Sequence, residues 1–316
     1  MKRVVSVSIG SSSRNHRIET ELLGETFVIE RIGTDGDLKR AIEIVRELDG
    51  QVDAFGLGGI DLYIYSGRRR YRFRDAYRIA RVAKKTPVVD GSGLKNSLER
   101  WAVNYVDEQT DIKLKGKRVL VVVAVDRFGM AEAFTQLGCR MMFGDLIFGL
   151  GLPIGLHSPL ALERFARALA PVVVRLPFKL LYPTGSKQES VSPRYERFFQ
   201  WAEVIAGDFH YIRRYMPTRL DGKTVMTNTV TADNVEEIKS RGAATLITTT
   251  PDFGGRSFGT NVLEAALVAL SGKPADEIKS DDYLALIEKL EFRPRIERFA
   301  PQTNVSGHRR PALVGN

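Results

Sequence analysis

Apolar runs of strand length alternate with segments of helical periodicity over the first hundred residues. This alternation is typical of an α/β unit, and we assign residues 1–106 to it. The predicted strands are 3–10, 26–33, 52–60 and 86–91, the predicted helices are 35–48, 75–84 and 94–106, and a hairpin is predicted about Ser66 and Gly67.

A second series of strands and helices follows. Near-continuous apolar strands that alternate with helices favour a parallel sheet covered on both faces. The predicted strands are 118–125, 140–147, 172–178, 203–209, 224–230 and 244–250, and the predicted helices are 128–137, 159–169, 194–202, 232–241, 261–271 and 281–290. We therefore predict a doubly wound, Rossmann-like domain over 107–272 and a C-terminal helix and ordered tail, 273–316, that pack on the domains.

Composition narrows the class of protein. The chain has 316 residues, a formal charge of +9 and one cysteine, Cys139, which excludes an internal disulfide framework. No apolar tract has the length of a membrane span and no signal peptide is evident, so we expect a cytoplasmic protein. The four histidines are scattered without ligand spacing, so we expect no metal site.

Much of the positive charge lies in one basic run, residues 67–85. Arginines alternate with Tyr71 and Phe73 there, which favours a strand with aromatic side chains toward a core and arginines toward water. The alternative is a surface that binds an anionic ligand or nucleic acid. The chain has no recognised nucleic-acid module, so a nucleic-acid partner is not expected.

The loop after strand 118–125 has the place of a dinucleotide-binding turn but lacks most of its glycines. Gly129 remains, Asp126 would repel a pyrophosphate, and Arg127 could compensate for that charge. Asp145 follows about 20 residues later, where an acidic residue binds the ribose hydroxyls of NAD. The loop therefore favours NAD over NADP, if a dinucleotide binds at all.

The segment 248–270 joins the last predicted strand to a helix. Asn261 and Glu264 have the spacing of a capping box. The glycines between them and the strand could wrap an anion at the start of that helix, or could simply make a tight connection. The candidate cofactor-binding residues here are Thr250, Gly255 and Arg256.

The sequence VVDGSGLKNSLERWAV, residues 88–103, is followed by a short spacer and KGKRVLVVVA. In order and spacing, this stretch resembles the shikimate/quinate dehydrogenase family, and the whole chain resembles a bacterial group labelled quinate 5-dehydrogenase. The resemblance implies that Asp90 is catalytic and that Ser11 and Ser13 hold the carboxylate of the substrate.

The chain departs from that family where a catalytic lysine belongs, because residues 56–63 contain none. Lys179, in a similar motif but in the wrong chain order, or His210, at the end of a strand, would have to assist Asp90. We expect these groups to share a cleft at the carboxyl ends of the second unit's strands.

Two hypotheses follow. The first is an oxidoreductase of the shikimate/quinate dehydrogenase type, which transfers a hydride between NAD, or less favourably NADP, and a cyclic hydroxy acid. The alternative is a non-enzymatic ligand-binding or regulatory protein whose cofactor site has degenerated. Under either hypothesis the protein binds a small molecule and does not bind a membrane. Whether it forms a homodimer is left open by the sequence.

Overall fold

The computed structural model describes residues 1–66, 69–177, 194–228, 230–250, 259–274 and 277–300. Its first sheet has five strands in the order β2-β3-β1-β4-β7, all parallel except β2, and a separate hairpin, β5-β6, stands beside it. The elements are β1 Lys2–Ser8, β2 His16–Leu22, β3 Glu25–Gly33, α1 Leu38–Leu48, β4 Ala54–Gly58, β5 Tyr63–Ser66, β6 Arg69–Arg72, α2 Arg74–Ala80 and β7 Val88–Val89.

The second sheet has six strands in the order β13-β12-β11-β10-β8-β9, and only β13 is antiparallel. Its strands are β8 Arg118–Val121, β9 Arg140–Phe143, β10 Val204–Gly207, β11 Thr224–Thr227, β12 Thr245–Thr248 and β13 Arg295–Arg298. The remaining helices are α3 Ser92–Gln109, α4 Phe128–Gln136, α5 Pro159–Val173, α6 Glu196–Trp201, α7 Phe209–Tyr215, α8 Ala232–Ser240, α9 Thr260–Ser271 and α10 Ser280–Lys289.

These two sheets confirm the predicted fold class, an N-terminal α/β unit followed by a doubly wound parallel sheet. The central strands are buried on both faces, as near-continuous apolar sequence predicts. In the first sheet, Val4 packs toward α3 and α9, whereas Val5 faces the opposite layer with α1 and α2. Alternating side chains of one strand thus serve two cores.

Two helices connect the units. Helix α3 leaves the end of β7 and packs against α4 of the second unit, while α9 returns from β12 to cover the first sheet. Helix α10 packs on α3, and β13 completes the second sheet beside β12. The division at 106 and 272 stays a prediction, because the chain crosses between the sheets more than once.

The predicted strand 172–178 is wrong. Helix α5 continues through Val173, although it contains Pro171 and its end is rich in β-branched residues. The carbonyl of Val174 accepts the N–H of Arg74, and the side chain of Val174 is buried in the core of the first unit. Packing between the units therefore overrides the strand propensity of this run. Strand β13 takes the sixth place in the sheet instead.

Within the described ranges, none of the helices combines the length and the apolar character that a membrane crossing requires. The hairpin about residues 66 and 67 is confirmed in its strands, β5 and β6. In β6 and the residues just beyond it, Phe73 is buried while Arg70 and Arg72 are exposed. The alternation in the basic run was therefore interpreted correctly.

Candidate functional site

The strand order of the second sheet reverses between β8 and β10. From β8 the chain continues outward to β9, and from β10 it continues outward on the other side to β11 and β12. In open parallel sheets, ligands bind outside the carboxyl ends of the strands at such a point. Here the loops that follow are 122–127 after β8 and Asp208 after β10. The candidate dinucleotide site is therefore this crevice, between the second sheet and helix α3.

Arg127 occupies the crevice. Its side chain is only 4% exposed and forms ion pairs with Glu99 of α3 and with Asp208, the latter at 2.6 Å from Nη2 to Oδ2. The N-cap residue Asp208 also accepts the N–H of His210, so it joins the start of α7 to the same cluster. Burial alone would raise the pKa of Asp208, but the charge of Arg127, together with His210 and Lys95, outweighs it and holds this pKa below its ordinary value. Arg127 is therefore engaged by protein carboxylates and is not free to meet a phosphate.

Lys95, one turn before Glu99 on α3, forms the other half of this network. Its Nζ lies 2.8 Å from Oδ1 of Asp126 and 3.7 Å from Oδ1 of Asp61. Burial alone would lower the pKa of Lys95, but Asp126 and Asp61 outweigh it and hold the pKa above its ordinary value. Lys95 thus joins the first unit to the loop after β8, and Asp126 is paired rather than repulsive.

The space left in the crevice is small. A cavity of about 20 Å³ remains beside Tyr63, Ser92, Glu99 and the turn 125–129. That is room for about one water molecule and far less than a dinucleotide needs. Oε2 of Glu99 is buried without a hydrogen-bond partner, and burial raises the pKa of this carboxyl against the opposing charge of Arg127. In this conformation the crevice is closed by the protein's own side chains.

Asp145 has a role other than the predicted one. Its carboxylate accepts the N–H groups of Ala124 at 3.1 Å and Val125 at 2.9 Å. In a dinucleotide-binding turn such N–H groups face the pyrophosphate. Asp145 is buried and caps the loop, so the prediction that it binds a ribose is not supported. The loop lacks the glycines that let a backbone approach a phosphate, and Asp145 occupies the N–H groups that would bind it. Both features therefore act against phosphate binding at this loop.

Titration of Asp145 gives the first testable prediction. Burial raises its pKa to about 6 from an ordinary value of 3.8, even though Val125 and Ala124 donate to it. The unfolded chain therefore loses this proton at lower pH than the folded protein, so stability falls as pH rises from about 4 to about 6, by up to about 3 kcal/mol. Urea unfolding at pH 4.5 and 6.5 measures this change. D145N should lack this part of the pH dependence, and an identical pH profile in D145N and the parent would contradict the assignment.

Asp90, the predicted catalytic residue, lies at the end of β7 and is buried. Oδ2 accepts the N–H groups of Leu62 and Tyr63, and Oδ1 accepts the N–H and the hydroxyl of Ser92, at 2.5–3.1 Å. Four donors thus hold both carboxylate oxygens. The arrangement fixes the start of the hairpin and of α3, and it leaves no strong acceptor site for a substrate proton.

The two glycines that flank Ser92 are explained by packing. Gly91 has a φ of +92°, and a Cβ there would lie 2.7 Å from the backbone nitrogen of Asn261. A Cβ at Gly93 would collide with Oε1 of Glu264. The glycine pattern that carries the family resemblance therefore allows α9 to approach the start of α3.

The predicted capping box at Asn261 and Glu264 is wrong. Helix α9 begins after Gly259 without a side-chain cap, and the amide of Asn261 donates to the hydroxyl of Ser6. Glu264 instead accepts the N–H groups of Gly91 and Leu94 at the start of α3. The hydroxyl of Tyr283 also donates to it, and burial, together with the charge of Asp90, raises the pKa of Glu264 to about 7.

Ser11 and Ser13, the predicted substrate-binding serines, are exposed beyond the end of β1, with their Oγ atoms 2.8 Å apart. Ser11 also caps a short 3-10 helix, Ser12–Arg14, because its hydroxyl oxygen accepts the N–H of Ser13. Two guanidinium groups lie beside them. A Cβ at Gly10 would lie 2.9 Å from Nη2 of Arg14 and 3.1 Å from Nη2 of Arg31, which places both cations at one backbone position.

The hydrogen-bond partners of Arg31 are neutral. Arg31 donates to the hydroxyl of Ser8 at 2.9 Å and to the carbonyl of Ser11 at 3.0 Å. In the part of the chain that the structure describes, neither Arg14 nor Arg31 has a carboxylate within ion-pair distance. Burial and then the charge of Arg14 lower the pKa of Arg31, against the opposing charge of the nearby carboxylate Asp35. We name Ser11, Ser13, Arg14 and Arg31 the β1-end cluster, and two adjacent cations without a direct counterion favour an anion there.

The other predicted site residues fall in three groups. His210 is exposed near the start of α7, and Thr250 is buried just beyond β12. Gly129 packs against the carbonyl of Asn96, where a Cβ would clash, so close helix packing explains this glycine. Lys179, Gly255 and Arg256 lie outside the described residues. Across the ranges that are described, no group of His, Cys, Asp and Glu could hold a metal ion.

Sequence reasoning missed Arg14, Arg31, Lys95 and Glu99. Lys95 and Glu99 stand four residues apart on α3, which is a visible signal of one helix face, but their partners come from distant loops. Arg31 lies at the end of β3 and reaches the loop after β1 because the two strands pair in parallel, Ser6 with Arg31. Only the topology reveals that contact.

The fold and the crevice define a class, a two-unit α/β protein with parallel sheets connected by crossing helices. Residues 93–299 match the model of a family described as a domain of unknown function, DUF8754, and residues 3–90 match a second such model, DUF8753. Because the first match covers more than half of the sequence, the chain belongs to the DUF8754 family. No curated protein sequence matches it closely enough to count as a relative.

Solved structures whose chain fold is similar to this one include enzymes and binding proteins. A leucine-bound glutamate dehydrogenase from Thermus thermophilus is 13% identical over 92% of this chain and 74% of its own, with a TM-score of 0.44. An NAD-dependent malic enzyme from Thermotoga maritima is 12% identical over 92% and 84%, with a TM-score of 0.39. A galactofuranose binding protein is 13% identical over 92% and 99%, with a TM-score of 0.35. At these values the likeness carries no argument about function.

Proposed function

We propose that this protein is a ligand-binding or regulatory protein that recognises a small carboxylate-bearing molecule at the β1-end cluster. The single observation that carries the proposal is the pair of adjacent guanidinium groups, Arg14 and Arg31, neither of which has a carboxylate within ion-pair distance among the described residues. Two arginines side by side match the geometry of a carboxylate, to which each can donate more than one hydrogen bond. The hydroxyls of Ser11 and Ser13 are additional donors.

The closed crevice favours a ligand-binding protein over an enzyme that needs a dinucleotide bound in this crevice. Arg127 is buried between Glu99 and Asp208, and Asp145 occupies the N–H groups of the loop after β8. A pyrophosphate would have to displace both arrangements, and it would meet three carboxylates in doing so. At the β1-end cluster, in contrast, Arg14 is exposed and Arg31 is partly exposed, and the nearby carboxylate Asp35 accepts the N–H of Ser12 instead of forming a direct ion pair with either arginine.

Equilibrium titration of the full-length protein tests the proposal, with quinate as the carboxylate probe and inositol as an uncharged cyclic control. We expect quinate to bind and inositol not to bind. R14Q should weaken quinate binding by about 10- to 100-fold, because it removes one charge-assisted contact of about 1.5–3 kcal/mol.

R164Q is the matched control, since Arg164 is exposed on α5 and its removal changes the net charge equally. It should leave the affinity within about two-fold of the parent, a difference of less than about 0.5 kcal/mol. Equal weakening by R14Q and R164Q, or no binding of quinate at all, would contradict a carboxylate site at this cluster. Circular dichroism confirms that both variants are folded.

A second candidate function is an oxidoreductase of the shikimate/quinate dehydrogenase type that uses NAD, or less favourably NADP. The observation that favours it is the position of Asp90 at the end of β7, directly before the helix that crosses to the second unit. It requires the crevice to open and Arg127 to exchange its partners. Titration with NADH and NADPH, followed by their fluorescence, discriminates the two functions: saturable binding favours the oxidoreductase, and none favours the binding protein.

A further inference from the structure

A second concave region lies along the outer edge of β7, away from the β1-end cluster. It is a groove of about 710 Å³ between the hairpin β5-β6 and the helices α9 and α10. This volume is within the range of small-molecule sites, about 300–1,000 Å³. We name it the β7 groove, and none of its lining residues belongs to the β1-end cluster.

Five basic residues from four separate parts of the chain line the β7 groove. They are Lys2, Arg70, Lys84, Lys85 and Lys273. Three of them, Arg70, Lys84 and Lys85, belong to the basic run 67–85. Elsewhere in that run Arg72 stacks on Tyr77, and Arg74 and Arg78 approach Asp75. The groove therefore brings the exposed Arg70 of β6 together with two lysines that lie beyond the predicted strand.

The acidic residues of the groove are engaged with the protein itself. Asp53 accepts the N–H of Arg3 at 2.6 Å, Asp90 accepts four protein donors, and Glu264 accepts two backbone N–H groups and the Tyr283 hydroxyl. These hydrogen bonds direct the carboxylates into the wall and lessen their repulsion of an anion in the groove.

The basic side chains of the groove have fewer protein partners than the acidic ones. Among the described residues, Lys2 and Lys85 have no carboxylate within ion-pair distance, Lys84 donates to the carbonyl of Arg81, and Arg70 stacks on Tyr63. Lys273 alone has an acidic partner, Asp282, at 2.7 Å. Most of the positive charge that lines the groove thus has no carboxylate partner within the described part of the chain.

The open edge of β7 adds a backbone donor. Phe55 of β4 donates its N–H to the carbonyl of Pro87, so the next N–H, that of Val88, points away from the sheet and toward the groove. Val88 itself lines the groove. Ammonium groups, a guanidinium group and a free N–H at one site are the donors that phosphate oxygens bind.

We propose that the β7 groove binds a small molecule with several phosphate groups, such as a nucleoside polyphosphate. Lysines on both sides of the groove can meet separate phosphates, which a single carboxylate could not satisfy. The enclosing helices α9 and α10 favour a compact ligand over an extended strand of nucleic acid. Tyr63 supplies aromatic surface for an organic group beside the phosphates.

The test is calorimetric titration of the full-length protein with inorganic triphosphate and with ATP, at low and at moderate salt. Both should bind, more weakly at higher salt. K84Q/K85Q should weaken triphosphate binding by about ten-fold or more, which corresponds to about 1.4 kcal/mol. Tighter binding of ATP than of triphosphate would indicate that the organic part of the ligand is also held.

The control K115Q/R164Q removes two exposed charges outside the groove, and it should change triphosphate affinity by less than about two-fold. R14Q should also leave it unchanged, which separates this site from the β1-end cluster. Equal weakening by the two double variants, absence of triphosphate binding, or tighter binding of a single-stranded oligonucleotide than of triphosphate would overturn the proposal.

Discussion

Replacing Arg127 with methionine is expected to lower the free energy of unfolding by about 3–5 kcal/mol, as removal of one partner from a buried ion pair does. The guanidinium group meets Glu99 and Asp208, and Glu99 is 1% exposed. R127M would leave Glu99 buried without its ion-pair partner, with only the more distant charge of Lys95 opposite it. Unfolding in urea, followed by circular dichroism, measures the loss.

The matched control is R100M on the same helix, α3. Arg100 pairs with Glu132 of α4 at 2.7 Å, but both side chains are partly exposed, so its loss should cost about 1 kcal/mol or less. The double variant R127M/E99M should recover part of the loss in R127M, because it removes the uncompensated carboxylate. If R127M costs no more than R100M, the network in the crevice does not stabilise the closed arrangement.

Hydrophobic periodicity predicted the strands and helices well where the burial of their own faces determines the structure. Strands such as β1 and β8 are apolar because both of their faces are buried, and helix α3 follows its expected bounds within three residues. The strand prediction at Val172–Val174 was wrong because the environment of Val173 and Val174 is set by the first unit, far away in sequence. Local propensity could not indicate that contact.

The sequence identified residues around the crevice but not their contacts. It showed that the loop after β8 lacks glycines, and it placed Asp126 and Arg127 in that loop and Asp145 after the next strand. It could not show that Lys95, some 30 residues earlier, pairs with Asp126, or that Asp145 turns back to cap the loop. Charges that look unpaired along a sequence can neutralise one another once the sheets are packed.

The residues Asn261 and Glu264 make the same point in a single helix. Their spacing satisfies a capping box, but Glu264 reaches the start of α3, where the N–H groups of Gly91 and Leu94 need acceptors. A buried helix start must be satisfied by some group, and the approach of α9 supplies it. The resemblance in residues 88–103 thus reflects a packing requirement at least as much as a reaction.

Replacing Gly129 with alanine is expected to destabilise the protein by about 1–3 kcal/mol, the usual range for overpacking. An alanine in a helix would normally gain up to about 1 kcal/mol over glycine. Here its Cβ would clash with the backbone carbonyl of Asn96, and a carbonyl on α3 cannot move aside as a flexible side chain can. The clash therefore outweighs the gain in helix propensity.

The comparison variant is G149A, because a Cβ at Gly149 meets no atom within 4 Å and its φ is not in the left-handed region. G149A should change the free energy of unfolding by less than about 0.5 kcal/mol, as surface substitutions do. Urea unfolding of both variants distinguishes the two explanations of Gly129. A glycine kept for contact with a cofactor would leave the stability of G129A close to that of G149A, whereas a glycine kept for helix packing lowers it even when no ligand is present.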